Sequence, residues 1–155
     1  PVRVAGVKVG SVESLALEDG AVTAELRVTD AFVGDRTPRH LTTREFASAV
    51  HDVLVPGGLY LANCGDGRRL EEARTELATI ASVFQNVMVI ADPPMLKGRR
   101  YGNIILLASD TQLPAEGSVQ AAQLAKALLG GAVPAHFKDE NWTRKFFAGA
   151  TSARD

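Results

Sequence analysis

The sequence predicts an α/β fold in which a mostly parallel sheet follows an amino-terminal antiparallel β-hairpin. Two patterns support this prediction. Before Thr29 apolar residues recur with a period of two, which is typical of strands that bury one face. After Thr29 short apolar runs alternate with stretches of helical periodicity. Connections this short favour right-handed crossovers between parallel strands.

The hairpin is predicted within the first 28 residues. Valines alternate with polar residues from Val2 to Val12, and a second alternating run extends from Val22 to Val28. Asp19-Gly20 separates two such runs, and glycine tolerates the positive backbone angle that a tight hairpin turn requires. We therefore expect short antiparallel strands in this region.

Strands and helices are predicted to alternate in the rest of the chain. Thr42 and Glu45 form a capping box that starts a helix, and Pro56-Gly57-Gly58 is expected to end it. A second helix carries an apolar stripe from Leu70 to Phe84. The later predicted elements are, in order, strands at 58–64, 86–91 and 102–109, a helix at 119–129, and a short helix or irregular aromatic tail after residue 134.

Composition restricts the class of protein. With 155 residues, 46% of them hydrophobic, the chain has the length of one ordinary domain. A formal net charge of -1 gives no electrostatic footprint for nucleic acid or for an anionic membrane. No apolar run reaches the roughly 18 residues of a membrane span, so we expect a soluble protein, and a single cysteine fits a reducing, cytoplasmic compartment. Cys64 is the single cysteine and has no cysteine partner for a zinc site, so no metal is expected.

Polar residues follow several of the predicted strands. In open α/β sheets, functional groups collect beyond the carboxyl ends of the strands. Residues expected at such positions are Asp30, Asn63 to Asp66, Asp92 and the Ser109-Asp110 pair.

Four sequence blocks resemble the carboxyl-terminal half of spermidine synthase-like proteins. The blocks are, in order, "DAFVGDRTPRHLTTREF", "LVPGGLYLANCGD", "VFQNV" and "GRRYGNIILLASD", and they cover about Asp30 to the end of the chain. The resemblance implies a partial Rossmann-like sheet of the class I methyltransferase type. It also implies aminopropyl transfer from decarboxylated S-adenosylmethionine, as co-substrate, to a diamine such as putrescine.

The resemblance assigns roles to three residues. Asp30 occupies the place of the family's catalytic aspartate, and a carboxylate there is able to accept the proton of the attacking amine. Asp35 would add negative charge for a polyammonium substrate, and Tyr101 would contact the amine or shield it from water. The structural alternative is that Asp30 and Asp35 cap a turn and that Tyr101 is a core aromatic with its hydroxyl at the surface.

The family's co-substrate half is not recognisable in this sequence. A glycine-rich turn after a first strand and an acidic residue after a second one normally hold the nucleoside. Gly6 and Gly10 lie in an alternating segment that leads into more strand. Only 29 residues precede Asp30, which is too few for the three strand-helix units that the family places there.

The segment before Asp30 resembles part of a mammalian-cell-entry domain, an all-β lipid-transfer module. Residues 2–12 match the pattern "V-x-x-x-G-V-x-V-G-x-V". We therefore expect two regions, a hairpin segment at 1–29 and a spermidine synthase-like half domain at 30–155. The chain is then either a recombinant of two half domains or a divergent protein whose hairpin replaced the co-substrate half.

Three functions follow from these resemblances. The first is an aminopropyltransferase, which is inactive if its co-substrate half is truly missing. The second is a non-catalytic scaffold in which exposed sheet edges pair between copies, so a homo-oligomer is expected. The third is a lipid-binding module inherited from the amino-terminal segment.

Overall fold

Residues 3–4, 7–8, 15–18, 21–130 and 135–155 are described by the structure, a computed structural model of the chain. Within these residues the elements are, in order, β1 (Arg3–Val4), β2 (Val7–Lys8), β3 (Leu15–Glu18), β4 (Ala21–Thr29), a 3-10 turn (Arg39–Leu41), α1 (Arg44–Asp52), β5 (Leu54–Asp66), α2 (Glu71–Ala81), β6 (Asn86–Ala91), α3 (Pro93–Leu96), β7 (Gly102–Ser109), α4 (Val119–Leu129), β8 (His136–Lys138) and α5 (Glu140–Phe146).

Six of these strands form one sheet in the order β3-β4-β5-β7-β6-β8, and β1 pairs with β2 separately. Among the described strands, β4 and β5 are the one parallel pair, and the other pairs in the sheet are antiparallel. The predicted mostly parallel pairing is therefore wrong. The crossover through α2 carries the chain from β5 to β6, which lies two positions away, and β7 then returns in the opposite direction to fill the position between β5 and β6.

The predicted antiparallel pairing at the amino-terminal side is present. Glu18 of β3 lies opposite Ala21 of β4, and four residue pairs join the two strands. The predicted turn residues Asp19 and Gly20 lie outside the described residues. β3 thus lies at the outer edge of β4, which continues directly into the candidate site at Asp30.

Helices cover both faces of the sheet. Side chains of α1 and α2 pack on one face together with Phe146 of α5, around a core that includes Tyr60 and Ile104. On the other face Leu124 of α4 packs with Met88 and Leu107. β7 therefore buries side chains on both faces, as its continuous apolar sequence predicted.

Two predicted boundaries shift because of local hydrogen bonding and strand pairing. The side chain of Thr43, and not that of Thr42, accepts the amide hydrogen of Phe46 at the start of α1. α1 ends at Asp52, and Pro56-Gly57-Gly58 lies inside β5 instead of ending the helix. β4 advances only from Ala24 to Leu26 while β5 advances from Leu54 to Leu59, so these residues form a bulge.

Candidate functional site

The register between β4 and β5 places Asp30 beside Asn63. Thr29 lies opposite Ala62 in the parallel pair, so the next residues of the two strands are neighbours on the same face. The amide nitrogen Nδ2 of Asn63 donates to Oδ1 of Asp30 over 3.0 Å. This hydrogen bond involves only Oδ1, and Asp30 is exposed, so its second carboxylate oxygen is left for another partner.

Asn63 keeps a second polar atom at this position. Its Oδ1 is buried and has no hydrogen-bond partner among the described residues. A buried acceptor without a partner is costly, and a ligand N–H group would satisfy it. Asn63 therefore orients the carboxylate through Nδ2 and keeps an unpaired acceptor buried at the same position.

Asp35 and Tyr101 meet a short distance along the same edge. Asp35 lies in a tight turn in which the amide of Val33 donates to the carbonyl of Arg36 over 2.9 Å, with Gly34 at a φ of 67°. The hydroxyl of Tyr101 donates to the backbone carbonyl of Asp35. Tyr101 is 49% exposed. Its predicted alternative as a core aromatic does not agree with this exposure.

The Tyr101 hydroxyl is held in its protonated form. Desolvation raises the pKa of Tyr101, and the negative charge of Asp35 raises it further. The hydroxyl therefore stays a hydrogen-bond donor at neutral pH. Its hydrogen bond holds the Asp35 turn close to the start of β7. A group in this state is suited to fixing the turn or contacting a ligand and not to accepting a proton.

Gly65 allows Tyr101 and the Asp35 turn to approach the sheet. A Cβ atom at this glycine would lie 2.6 Å from the Asp35 carbonyl oxygen and 2.8 Å from the Tyr101 hydroxyl. The ring of Phe32 would lie 3.1 Å from it. Asn63 and Gly65 share a face of β5 and are about 7 Å apart along the strand. The two pairs of groups therefore occupy one end of β5.

The remaining predicted positions have other partners. The carboxylate of Asp66 accepts the amides of Gly67 at 2.6 Å and Ala73 at 2.8 Å, so it supports the start of α2. Asp92 is paired with Arg100. The Ser109-Asp110 pair lies at the opposite edge of the sheet, because β7 runs against β5. Its predicted place at the carboxyl edge of the parallel strands is therefore wrong.

Asp110 instead links the end of α1 to the residue that precedes β6, at the opposite end of the strands from Asp30. Its Oδ2 lies 2.6 Å from Nε2 of His51, and its Oδ1 accepts the amide of Gln85 over 3.2 Å. Partial burial acts to raise the pKa of Asp110, but the hydrogen bonds from His51 and Gln85 outweigh it and lower the pKa. The contact between His51 and Asp110 fixes the end of α1 far from Asp30.

Clusters of metal-ligating side chains and helices able to cross a membrane are both absent from the described part of the chain. No group of three or more His, Cys, Asp or Glu side chains converges there. No described helix has both the length and the apolar character that a bilayer crossing requires.

Two known proteins are similar to most of this chain. A polyamine aminopropyltransferase of Vibrio vulnificus (strain CMCP6) is 33% identical over 113 residues, which are 73% of this chain and 35% of that protein. The crystal structure of a probable spermidine synthase from Corynebacterium glutamicum ATCC 13032 superposes with a TM-score of 0.82 and 52% identity. That match covers 86% of this chain and 48% of the other.

The comparisons confirm the predicted similarity to spermidine synthases and support a class I methyltransferase-like arrangement of the mixed sheet. The chain spans about half, or less, of the length of these relatives. No protein-family model matches the sequence. The resemblance to a mammalian-cell-entry domain and the division at residue 29 stay predictions.

Proposed function

We propose that this chain provides the amine-binding side of an aminopropyltransferase site. Asp30 is the residue that accepts the proton of the attacking amine, with Asn63 as the group that orients it. The observation that supports the proposal most directly is the hydrogen bond from Asn63 to Asp30 at the end of the parallel strand pair. It leaves one carboxylate oxygen for an amine.

The chemistry follows from the charges at this edge. An amine nitrogen with a free electron pair would attack the propyl carbon next to the sulfonium of decarboxylated S-adenosylmethionine. The new C–N bond would form as the C–S bond breaks, and methylthioadenosine would leave with the bonding electrons. The surplus proton on nitrogen would pass to Asp30, whose carboxylate also attracts a polyammonium substrate.

Other side chains of the site would position the amine. The free Oδ1 of Asn63 would accept an N–H of the substrate, which would satisfy a buried acceptor. Tyr101 would hold the Asp35 turn in place through its hydroxyl. The exposed side chains of Phe32 and Val33 flank this edge and would contact the carbon chain of a diamine.

Calorimetric titration with butane-1,4-diamine tests the amine site directly. We expect the unmodified chain to bind the diamine and Asp30→Asn to weaken binding by about 10-fold or more, because a charge-assisted hydrogen bond is lost. Asp52→Asn is the matched control, since Asp52 is 80% exposed and lies at the end of α1. Equal diamine affinity in the unmodified chain and in Asp30→Asn would show that Asp30 does not hold the amine.

Turnover is tested separately with decarboxylated S-adenosylmethionine and the diamine together. Where transfer occurs, Asp30→Asn should lower its rate by roughly 100-fold or more, the usual scale for removal of a general base. Unchanged transfer in that variant would remove Asp30 from the chemistry. Diamine binding without any transfer would support the amine site alone and leave Asp30 as a residue that binds the amine.

A further inference from the structure

α2 carries a buried acid that the proposed chemistry does not use. Glu76 is 3% exposed, and its Oε1 has no hydrogen-bond partner among the described residues. Burying a carboxyl group without satisfying both oxygens is expensive, so such a group is normally paired or bound to a ligand.

Glu76 is one of the residues that line a small cavity. Its volume is about 20 Å³, which exceeds the roughly 10–15 Å³ that one water-sized ligand needs. Three threonines are among its lining residues, and residues of β5 form part of its wall. The lining consists of Arg36, Thr37, Thr42, Cys64, Gly65, Glu72, Thr75 and Glu76.

The surrounding charges leave Glu76 without a cationic partner. Arg36 lies 3.0 Å from Glu72, with both side chains at least half exposed, so these two charges balance each other at the surface. Glu76 is then the one carboxyl group in the lining that no described cation pairs. A cation of a single charge would neutralise it.

In the absence of a bound cation, the carboxyl group of Glu76 keeps its proton. Burial raises the pKa of Glu76 to about 8. The hydrogen bond from the Cys64 thiol acts in the opposite direction, and the negative charges of Glu72 and Asp66 raise the pKa further. Burial also raises the pKa of Tyr60, and the charge of Glu76 raises it further, so the Tyr60 hydroxyl stays protonated and donates to Thr29 over 3.0 Å. The carboxyl is thus neutral at pH 7 in the absence of a ligand.

We propose that this cavity binds one compact monovalent cation, an alkali metal ion or an ammonium group, in exchange for the carboxyl proton of Glu76. The ligand is restricted to this class by its surroundings. Because Glu72 is already paired with Arg36, Glu76 is the one carboxylate left for a ligand, and Ca²⁺ or a transition metal normally takes more anionic or imidazole ligands than that. One carboxylate with threonine oxygens suits a single positive charge.

Thermal unfolding in different chloride salts at equal ionic strength tests the site. At about pH 9 we expect the melting temperature in potassium, sodium or ammonium chloride to exceed that in choline chloride by several degrees, since choline is too large for the cavity. At about pH 6 the difference should shrink, because the cation must then displace a proton. Comparison of the melting temperatures in potassium chloride and ammonium chloride shows which kind of cation the cavity prefers.

Two variants separate this site from general salt effects. Glu76→Gln keeps the shape of the side chain but carries no charge, so the difference between salts should disappear. Glu71→Gln removes a charge from the same helix at a side chain that is 70% exposed, and it should keep the difference. The proposal is overturned if choline supports the same melting temperature as the small cations, or if Glu76→Gln retains the dependence. Neither measurement involves a diamine, so the results do not depend on whether the proposed transferase site is correct.

Discussion

Asn63 fixes the orientation of Asp30, although Asn63 itself lies on the neighbouring strand. A carboxylate at the end of a strand rotates freely unless a donor holds one oxygen. The 3.0 Å hydrogen bond from Asn63 supplies that donor. At the scale of single residues, the site therefore depends on a pair contributed by β4 and β5 and not on Asp30 alone.

Gly65 is the residue whose replacement should disturb the site most. Gly65→Ala would place a methyl group 2.6 Å from the Asp35 carbonyl, which must move, and 2.8 Å from the Tyr101 hydroxyl. We expect a loss of about 1–3 kcal/mol in the free energy of unfolding, the usual cost of overpacking. Urea denaturation followed by fluorescence of the single tryptophan, Trp142, measures this loss.

Gly67→Ala is the matched control, because nothing lies within 4 Å of a Cβ atom at that position. The control should keep the stability and the diamine affinity of the unmodified chain. Gly65→Ala should also weaken diamine binding, since the Asp35 turn is displaced. Equal stability of the two variants would contradict the close approach of Tyr101 and the turn.

At the scale of elements, the start of α1 depends on one hydroxyl group. Thr43 is buried and its Oγ1 accepts the Phe46 amide over 3.3 Å, whereas the Thr42 hydroxyl donates to the Arg39 carbonyl over 2.9 Å. Thr43→Ala should lower the free energy of unfolding by about 1 kcal/mol, as expected for a lost N-cap. Urea denaturation gives the value.

Thr42→Ala distinguishes the two threonines. It removes a hydroxyl that lies outside the helix, and its cost should be smaller than that of Thr43→Ala. A larger cost for Thr42→Ala would restore the capping box that the sequence predicts at Thr42 and Glu45. In the structure the carboxylate of Glu45 instead accepts the amide of Asp155 over 3.1 Å.

At the scale of the whole molecule, the buried Glu76 sets a pH dependence. Its folded-state pKa of about 8 lies above the ordinary value of 4.5, so the folded chain holds a proton that the unfolded chain releases in this range. Stability should therefore fall as pH rises from about 5 to about 8, by at most about 1.4 kcal/mol per pH unit. Urea denaturation in choline chloride, which excludes binding of small cations, measures the slope.

Glu76→Gln should remove this slope, because glutamine is neutral at every pH. The carboxyl group of Asp110 does not contribute to this slope, since its pKa is lowered and it therefore takes up its proton only at acid pH, below this range. A slope that is identical in the unmodified chain and in Glu76→Gln would show that the carboxyl is not held neutral in the fold.

The similarity to larger proteins also concerns the whole molecule. The chain spans 48% of the Corynebacterium glutamicum chain and 35% of the Vibrio vulnificus protein. The oligomeric state and a lipid-binding role stay predictions. Light scattering during size-exclusion chromatography would determine the first, and analysis of co-purifying lipid would determine the second.

The local sequence determined those elements whose patterns are complete within a few residues. β6, β7 and α4 have the bounds that the sequence predicts, because an apolar run or a capped amphipathic stretch defines each of them. The sequence also determined that Asp30 follows the end of a strand, and the ordered blocks around it were sufficient to indicate the similarity to spermidine synthases.

Only the tertiary structure decided which strands are neighbours and which side chains meet. Hydrogen bonding between strands depends on where the chain returns, so the insertion of β7 between β5 and β6 was not visible in the local pattern. The same is true of Pro56-Gly57-Gly58, which strand pairing turned from an expected helix end into a bulge. The pairing of Asn63 with Asp30 and the burial of Glu76 also arise from contacts between distant residues, which no local periodicity encodes.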